Sequence, residues 1–152
     1  MQQTQDFNIR YVKEKDRQYL IPKIKNVIGK FTQDIHEETI NTLIDKALEN
    51  KDFSGIVLVD PEDTPRGYVF CTITELYFSP VKVSCCLSLW VDEDCRAHSL
   101  DMIRAFESWS KYKQANKMMF STFKGVSPKG LDKVFTRFGY EVQEVQYWKD
   151  TK

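Results

Sequence analysis

The residues of this chain best placed to do chemistry lie between Leu87 and Lys113, in LSLWVDEDCRAHSLDMIRAFESWSKYK. Leu87, Leu89 and Val91 alternate with Ser88 and Trp90, the period of two of a strand. Met102, Ile103, Phe106 and Trp109 follow at spacings of three and four, the stripe of an amphipathic helix. A strand that turns straight into a helix aims backbone N–H groups and the positive end of the helix dipole at one place, where an anionic group can be held. The turn contains Arg96, His98 and Ser99 but no glycine. Every residue in it therefore carries a Cβ, which limits how near a ligand can come to the backbone.

Other chemistries find less support. The cysteines Cys71, Cys85, Cys86 and Cys95 form no C-x-x-C, and the only histidines are His36 and His98. That spacing predicts reduced, buried thiols and no metal site or disulfide framework. Lys plus Arg and Asp plus Glu both number 22, so the net charge is zero, and no block of five like charges occurs. A dominant electrostatic grip on nucleic acid or membrane is not expected from that balance. The first residues, MQQTQDFNIR, are not an apolar signal, and no run approaches 18 apolar residues. The expected location is the cytosol. At 152 residues and 41% hydrophobic content, the sequence is read as a single domain over 1–152.

The elements that would position the turn can be read along the chain. Asn8 to Val12 reads as a first strand. A helix follows with Leu20, Ile24, Val27, Ile28 and Phe31 on one face, and Pro22 is expected in its first turn. Asp34 with Glu37 three residues on predicts an N-cap and its partner for a second helix burying Ile40, Leu43, Ile44 and Leu48. From Ser54, three apolar runs separated by PEDTPRG and Ser79-Pro80 predict an antiparallel meander. After the helix ending near Gln114 come a fifth strand, Met118 to Thr122, and the loop FKGVS. Ser127 and Pro128 then open a short helix burying Leu131, Val134, Phe135 and Phe138, closed by a left-handed Gly139. Glu141 to Trp148 reads as a closing strand.

This order, β-α-α-β-β-β-α-β-α-β, resembles the GNAT acyltransferase superfamily over nearly the whole chain. LSLWVDEDCR resembles the family's fourth strand and the start of its acetyl-CoA motif. GLDKVFTRFGYEVQEVQYWK resembles the family's ending and is similar to small acetyltransferase-like proteins of tailed phages. The resemblance implies an α+β fold: a mixed, mostly antiparallel sheet flanked by helices and splayed between strands 4 and 5. It also implies acyl transfer from coenzyme A, typically acetyl-CoA, to an amine.

Carried over by position, the pantetheine arm would lie along Trp90, Val91 and Asp92, pairing with free backbone groups as an added strand does. The phosphates would sit near Ala97, His98 and Ser99, with Arg96 in the place of the motif arginine. Counted from the strand and from the helix, the two registers disagree by two residues. The loop is thus shorter than the family's, and Ala97 and Ser99 stand where two glycines do. Phe135 occupies the position where many relatives carry a tyrosine that protonates the departing thiolate, and a coenzyme-contacting asparagine falls on Ser127 or Pro128. An amine must also lose a proton as it attacks a thioester. Glu75, near the end of the third strand, is the candidate base, and Ser127 a candidate for thiolate protonation.

Each residue also has a plain structural role to set beside these. Glu75 can be a solvated strand end, Ser127 a helix cap, His98 an exposed loop residue and Trp90 a core aromatic. Two alternatives to the enzyme follow: a degenerate GNAT-like domain that binds a partner or sits in a virion without turnover, and a nucleobase-modifying relative, which would need a basic groove. The partners expected are a coenzyme A thioester and a small-molecule or protein amine, with a homodimer possible.

Overall fold

In the computed structural model, which describes residues 6–121 and 128–151, the strands are β1 (Asn8–Tyr11), β2 (Phe53–Val59), β3 (Pro65–Glu75), β4 (Lys82–Val91) and β5 (Lys117–Phe120). They form one sheet in the order β1-β2-β3-β4-β5. Its first three pairings are antiparallel and the last, β4 with β5, is parallel. The helices are α1 (Arg17–Ile28), α2 (Glu37–Glu49), α3 (Ser99–Tyr112) and α4 (Pro128–Arg137). The α+β expectation is met. The chain divides into two compact units, Met1–Ser121 and Thr122–Lys152.

Within the first unit the sheet is covered on both faces, which is why β2 is apolar at nearly every position. Val57 and Val59 join Tyr68 and Phe70 beneath Leu20 and Ile24 of α1 and Ile40, Ile44 and Ala47 of α2. Ile56 and Leu58 join Val69 and Cys71 on the opposite face, beneath Met102, Phe106 and Trp109 of α3. The helix stripe read between Met102 and Trp109 is thus the core face. Among the described residues, no helix is long and apolar enough to cross a membrane.

Several boundaries differ from those the sequence predicts. Pro22 lies in the body of α1, its sixth residue, because a 3-10 turn at Glu14–Asp16 starts the helical path earlier. The proline has no N–H for the Gln18 carbonyl, and the surrounding packing carries that loss. α2 begins at Glu37 after an extended His36, with no side-chain cap. Asp34 is drawn instead into a local turn, its N–H on Thr32 Oγ1 at 3.0 Å, and Glu37 pairs with Lys25 at 3.0 Å. β5 runs from Lys117 to Phe120; Thr122 lies outside the described residues.

Leu87 departs from the alternation assigned to it. The pairing steps from Phe70↔Ser88 to Cys71↔Cys86, so Leu87 is an extra residue in β4, a β-bulge. It is exposed, while Leu89 and Val91 keep to the α3 face and Trp90 packs on the α1–α2 face.

In the second unit, α4 ends in a complete Schellman motif. Gly139 has φ +86°, its N–H bonds the Thr136 carbonyl, and the Tyr140 N–H bonds the Phe135 carbonyl. The Phe135 and Tyr140 rings meet edge to face at 5.7 Å. The predicted closing strand does not form: Glu141 to Trp148 has no ladder, and Val142, Val145, Tyr147 and Trp148 are exposed. Val142 and Val145 are three apart, so the run never supplied the strict alternation that pins a strand to a partner.

All four cysteines are free and buried, as their spacing predicts. Burial pushes the Cys86 thiol up to about 12 and raises those of Cys71, Cys85 and Cys95 as well. The native protein should therefore leave all four thiols unreacted toward a chromogenic disulfide reagent at pH 8 and expose them in guanidinium. Rapid labelling of the native chain would contradict this burial. Phe106, 0% exposed beneath the sheet, sets the packing of α3. Phe106→Ala should lower the unfolding free energy by about 3–5 kcal/mol in urea titrations.

Candidate functional site

The site is built on the end of β4. β5 accompanies β4 only over Val83–Cys86, leaving Leu87–Val91 without a neighbour on that side. Along the other side β3 continues to Gly67↔Val91, and the Asp92 N–H bonds the Arg66 carbonyl at 2.8 Å. That bond fixes the alternation of the antiparallel ladder: Ser88 and Trp90 turn their N–H and C=O groups to β3, while Leu89 and Val91 turn theirs to the open side. Gly67 is needed opposite, since a Cβ there would lie 2.9 Å from the Trp90 carbonyl oxygen. The splay between strands 4 and 5 is present, with free backbone groups along it.

The turn after β4 is wound more tightly than a phosphate cradle. Glu93–His98 forms a 3-10 helix running directly into α3, the Cys95 N–H bonding Asp92 and the Ser99 N–H bonding Arg96. In such a helix the N–H groups turn to carbonyls three residues back, and the Ser99 amide is engaged in this way. Side chains with a Cβ settle readily in these right-handed conformations, and a short loop lacking glycine has no left-handed alternative. The N–H groups left at the start of the turn are flanked by Asp92, Glu93 and Asp94, which repel an anion. The Ser99 N–H, on which the family's cradle would draw, is thus already bonded to Arg96.

Two arginines hold this end of the molecule together. Arg66 on β3 reaches Asp92 at 3.0 Å, Asp94 at 2.6 Å and Asp60 at 3.7 Å, and its hydrogen bonds hold the Asp94 carboxyl below its ordinary value. Lys23 of α1 adds a second partner for Asp92 at 2.5 Å. Arg10 of β1 forms a fork with the buried Asp16 at 2.8 and 3.0 Å and reaches Asp63 at 2.9 Å. Asp63, bonded also to Lys15, is held down to about 2, the Lys15 hydrogen bond contributing most and Arg10 next. These ties fix the start of α1 and the β2–β3 turn around a cleft of ≈ 700 Å³, lined among others by Tyr19, Lys23, Lys30, Arg66, Trp90 and Glu93. That volume is ordinary for a small-molecule site.

Trp90, half-buried, supplies one wall. The Arg96 guanidinium carbon lies 4.4 Å from the centre of its ring and the Lys30 ammonium 5.4 Å. Arg96 also donates from Nε to the Val91 carbonyl at 2.7 Å, so it sits at the end of the open edge. His98 lies elsewhere in the turn, its ring 4.5 Å from Phe7 and its Nδ1 3.5 Å from Asp101.

The candidate base is not brought to this place. Glu75 pairs with Lys82 at the far end of β3, eight residues from Gly67 and about 26 Å along an extended chain, and it is exposed. Ser127 lies outside the described residues. The sequence reading missed Lys23, Lys30 and Arg66. No local spacing marks them, because Arg66 and Asp92 meet only through the β3–β4 register and the lysines only through the seating of α1. No group of three His, Cys, Asp or Glu that could hold a metal occurs among the described residues.

No family model matches the sequence, and no curated protein matches it. Solved structures do. A putative acetyltransferase from Pyrococcus furiosus superposes with a TM-score of 0.76 at 18% identity, covering 95% of this chain and 99% of the other. The aminoglycoside N-acetyltransferase AAC(6')-Iy, in complex with CoA, gives 0.74 at 15% identity, covering 100% and 99%. A GNAT family acetyltransferase from Staphylococcus aureus gives 0.69 at 13%, covering 95% and 98%. With the strand order, the splay beyond Cys86 and near-complete coverage in agreement, the fold of this chain is that of the GNAT acetyltransferases.

Proposed function

We propose that the chain is an acyl-CoA-dependent N-acyltransferase, moving an acetyl group from acetyl-CoA to an amine. The observation that carries this reading is the open edge of β4. Leu89 N–H, Leu89 C=O and Val91 N–H face a gap that β5 has vacated, and an extended amide-bearing arm can pair there as an added strand. The structural neighbours solved with CoA support the same donor. In the reaction the amine nitrogen bonds to the thioester carbonyl carbon and gives up a proton, the carbon–sulfur bond breaks, and the departing thiolate takes up a proton. An edge N–H aimed at the carbonyl oxygen would stabilise the charge that develops on it. Holding both reactants in one cleft supplies the rest by position.

The acceptor would enter by the 700 Å³ cleft. Glu93 lines it and pairs with no cation among the described residues, so it can draw in an ammonium group. The base role given to Glu75 has no geometric support, since it lies at the far end of β3; Ser127 lies outside the described residues. Three carboxylates on the cleft wall, Asp92, Glu93 and Asp94, are not the basic groove that a nucleobase acceptor would need. A second reading, a partner-binding domain without turnover, is favoured by one feature: the turn is a 3-10 helix whose Ser99 amide is consumed by the Arg96 carbonyl.

A thermal-shift titration and a transfer assay decide between the two. Acetyl-CoA at 100 times its dissociation constant should stabilise the fold by about 2.7 kcal/mol, raising Tm by roughly 5–10 °C for a chain of this size. Mass spectrometry should then find an acetylated amine among polyamine, aminoglycoside and peptide acceptors. No shift at millimolar acetyl-CoA and no product would leave the partner-binding reading.

A further inference from the structure

At the other end of β4, about 30 Å along the strand from Val91, the β3–β4 hairpin closes in a turn over residues 76–79. The Leu76 N–H bonds the Val81 carbonyl at 3.1 Å and the Ser79 N–H bonds the Leu76 carbonyl at 3.4 Å, so Tyr77 and Phe78 are the central residues. Such positions favour small or polar side chains. Here two aromatic rings occupy them, 99% and 100% exposed and edge to face at 6.5 Å. They add nothing to the core, and Leu76 beside them is exposed as well. A cluster of large apolar side chains on the surface marks a place of contact.

The α3–β5 turn lies against this hairpin. The Lys82 N–H bonds Asn116 Oδ1 at 2.9 Å, and the Asn116 N–H bonds the Lys82 carbonyl at 2.8 Å. The turn adds Tyr112, itself exposed, with the Lys113 ammonium 5.8 Å from its ring centre. Together, residues 75–82 and 111–117 hold four lysines, Lys82, Lys111, Lys113 and Lys117, against one carboxylate, Glu75. A chain of zero net charge thus carries a local excess of +3 here. The ion pairs that lysines make among the described residues belong to Lys15, Lys23, Lys25 and Lys51, so the charge of these four is not spent within the chain.

We propose that this end of the sheet docks on an anionic membrane surface, Tyr77 and Phe78 entering the interface while the lysines meet the headgroups. Shape and charge select this occupant. A ring exposed on every side has no neighbouring wall, so a base stacked on one face leaves the other wet, and a protein would need a pocket for each ring. A bilayer interface closes around both faces at once. A second copy is disfavoured, because a two-fold contact at the tip sets lysines against lysines. The grip is weak and reversible, a shallow apolar insertion backed by charge. It goes beyond the acyltransferase reading and does not depend on it, since the cleft lies at the far end of β4.

Co-sedimentation with vesicles tests this. Vesicles of phosphatidylcholine with about 30% phosphatidylserine should bind the wild-type chain and release it as salt rises. Vesicles of phosphatidylcholine alone should bind it about tenfold less or weaker still. Tyr77→Ser combined with Phe78→Ser should weaken binding by about tenfold or more with Tm unchanged, because neither ring is buried. Lys113→Gln combined with Lys117→Gln should weaken it as much and flatten the salt dependence, each lysine near an anionic surface accounting for a factor of about five. Lys30→Gln, at the cleft, should change nothing. Wild-type protein that binds neither vesicle overturns the proposal, as does binding that survives loss of both aromatics. Two other results overturn it in favour of a different occupant. One is a single-stranded oligonucleotide held through the same residues while vesicles are not. The other is self-association in the ultracentrifuge that Tyr77→Ser with Phe78→Ser abolishes, again without vesicle binding.

Discussion

The parting of β5 from β4 after Cys86 is the constraint on which the candidate site depends. Up to that point β4 is an interior strand, paired on both sides. Beyond it, one row of backbone groups has no partner in the sheet, and an unpaired edge is both a hazard and a binding surface. The bulge at Leu87 falls where the parting begins. It puts Ser88 and Trp90 on the α1–α2 face and Leu89 and Val91 on the α3 face, so the cleft receives an aromatic wall while α3 keeps its apolar floor.

Charge then shapes what the edge leads to. The acidic turn Asp92–Asp94 and the β2–β3 turn are gathered by Arg66, and the start of α1 is tied to β1 through Arg10 and the buried Asp16. A buried ion pair costs desolvation, and its net effect on stability is small, but it fixes one arrangement among several. Here that arrangement sets α1 at a definite distance from Trp90, which opens the cleft and brings Lys30 over the ring.

Much of the architecture was legible in the residues. The strand-turn-helix after Leu87, the meander and the left-handed Gly139 depend on local rules of period and capping, and they stand. Where the structure departs from that reading, the causes differ from place to place. Pro22 is tolerated inside α1 because Leu20 and Ile24 anchor the helix to the sheet. Asp34 does not cap α2, although its spacing from Glu37 suits the motif. Glu141 to Trp148 has strand-forming residues and no ladder.

The candidate site divides the same way. The sequence by itself determined that this turn lacks glycine, that its residues carry Cβ atoms and acids, and that an amphipathic helix must follow. Those are properties of side-chain volume, charge and period, and they hold wherever the segment lies. Only the tertiary structure decided where β4 loses its neighbour, and that Lys30 from the end of α1 comes to the Trp90 ring of the β4 end. Those facts follow from register and helix docking, which are set by burial over the whole sheet and leave no mark in the spacing of the residues they unite.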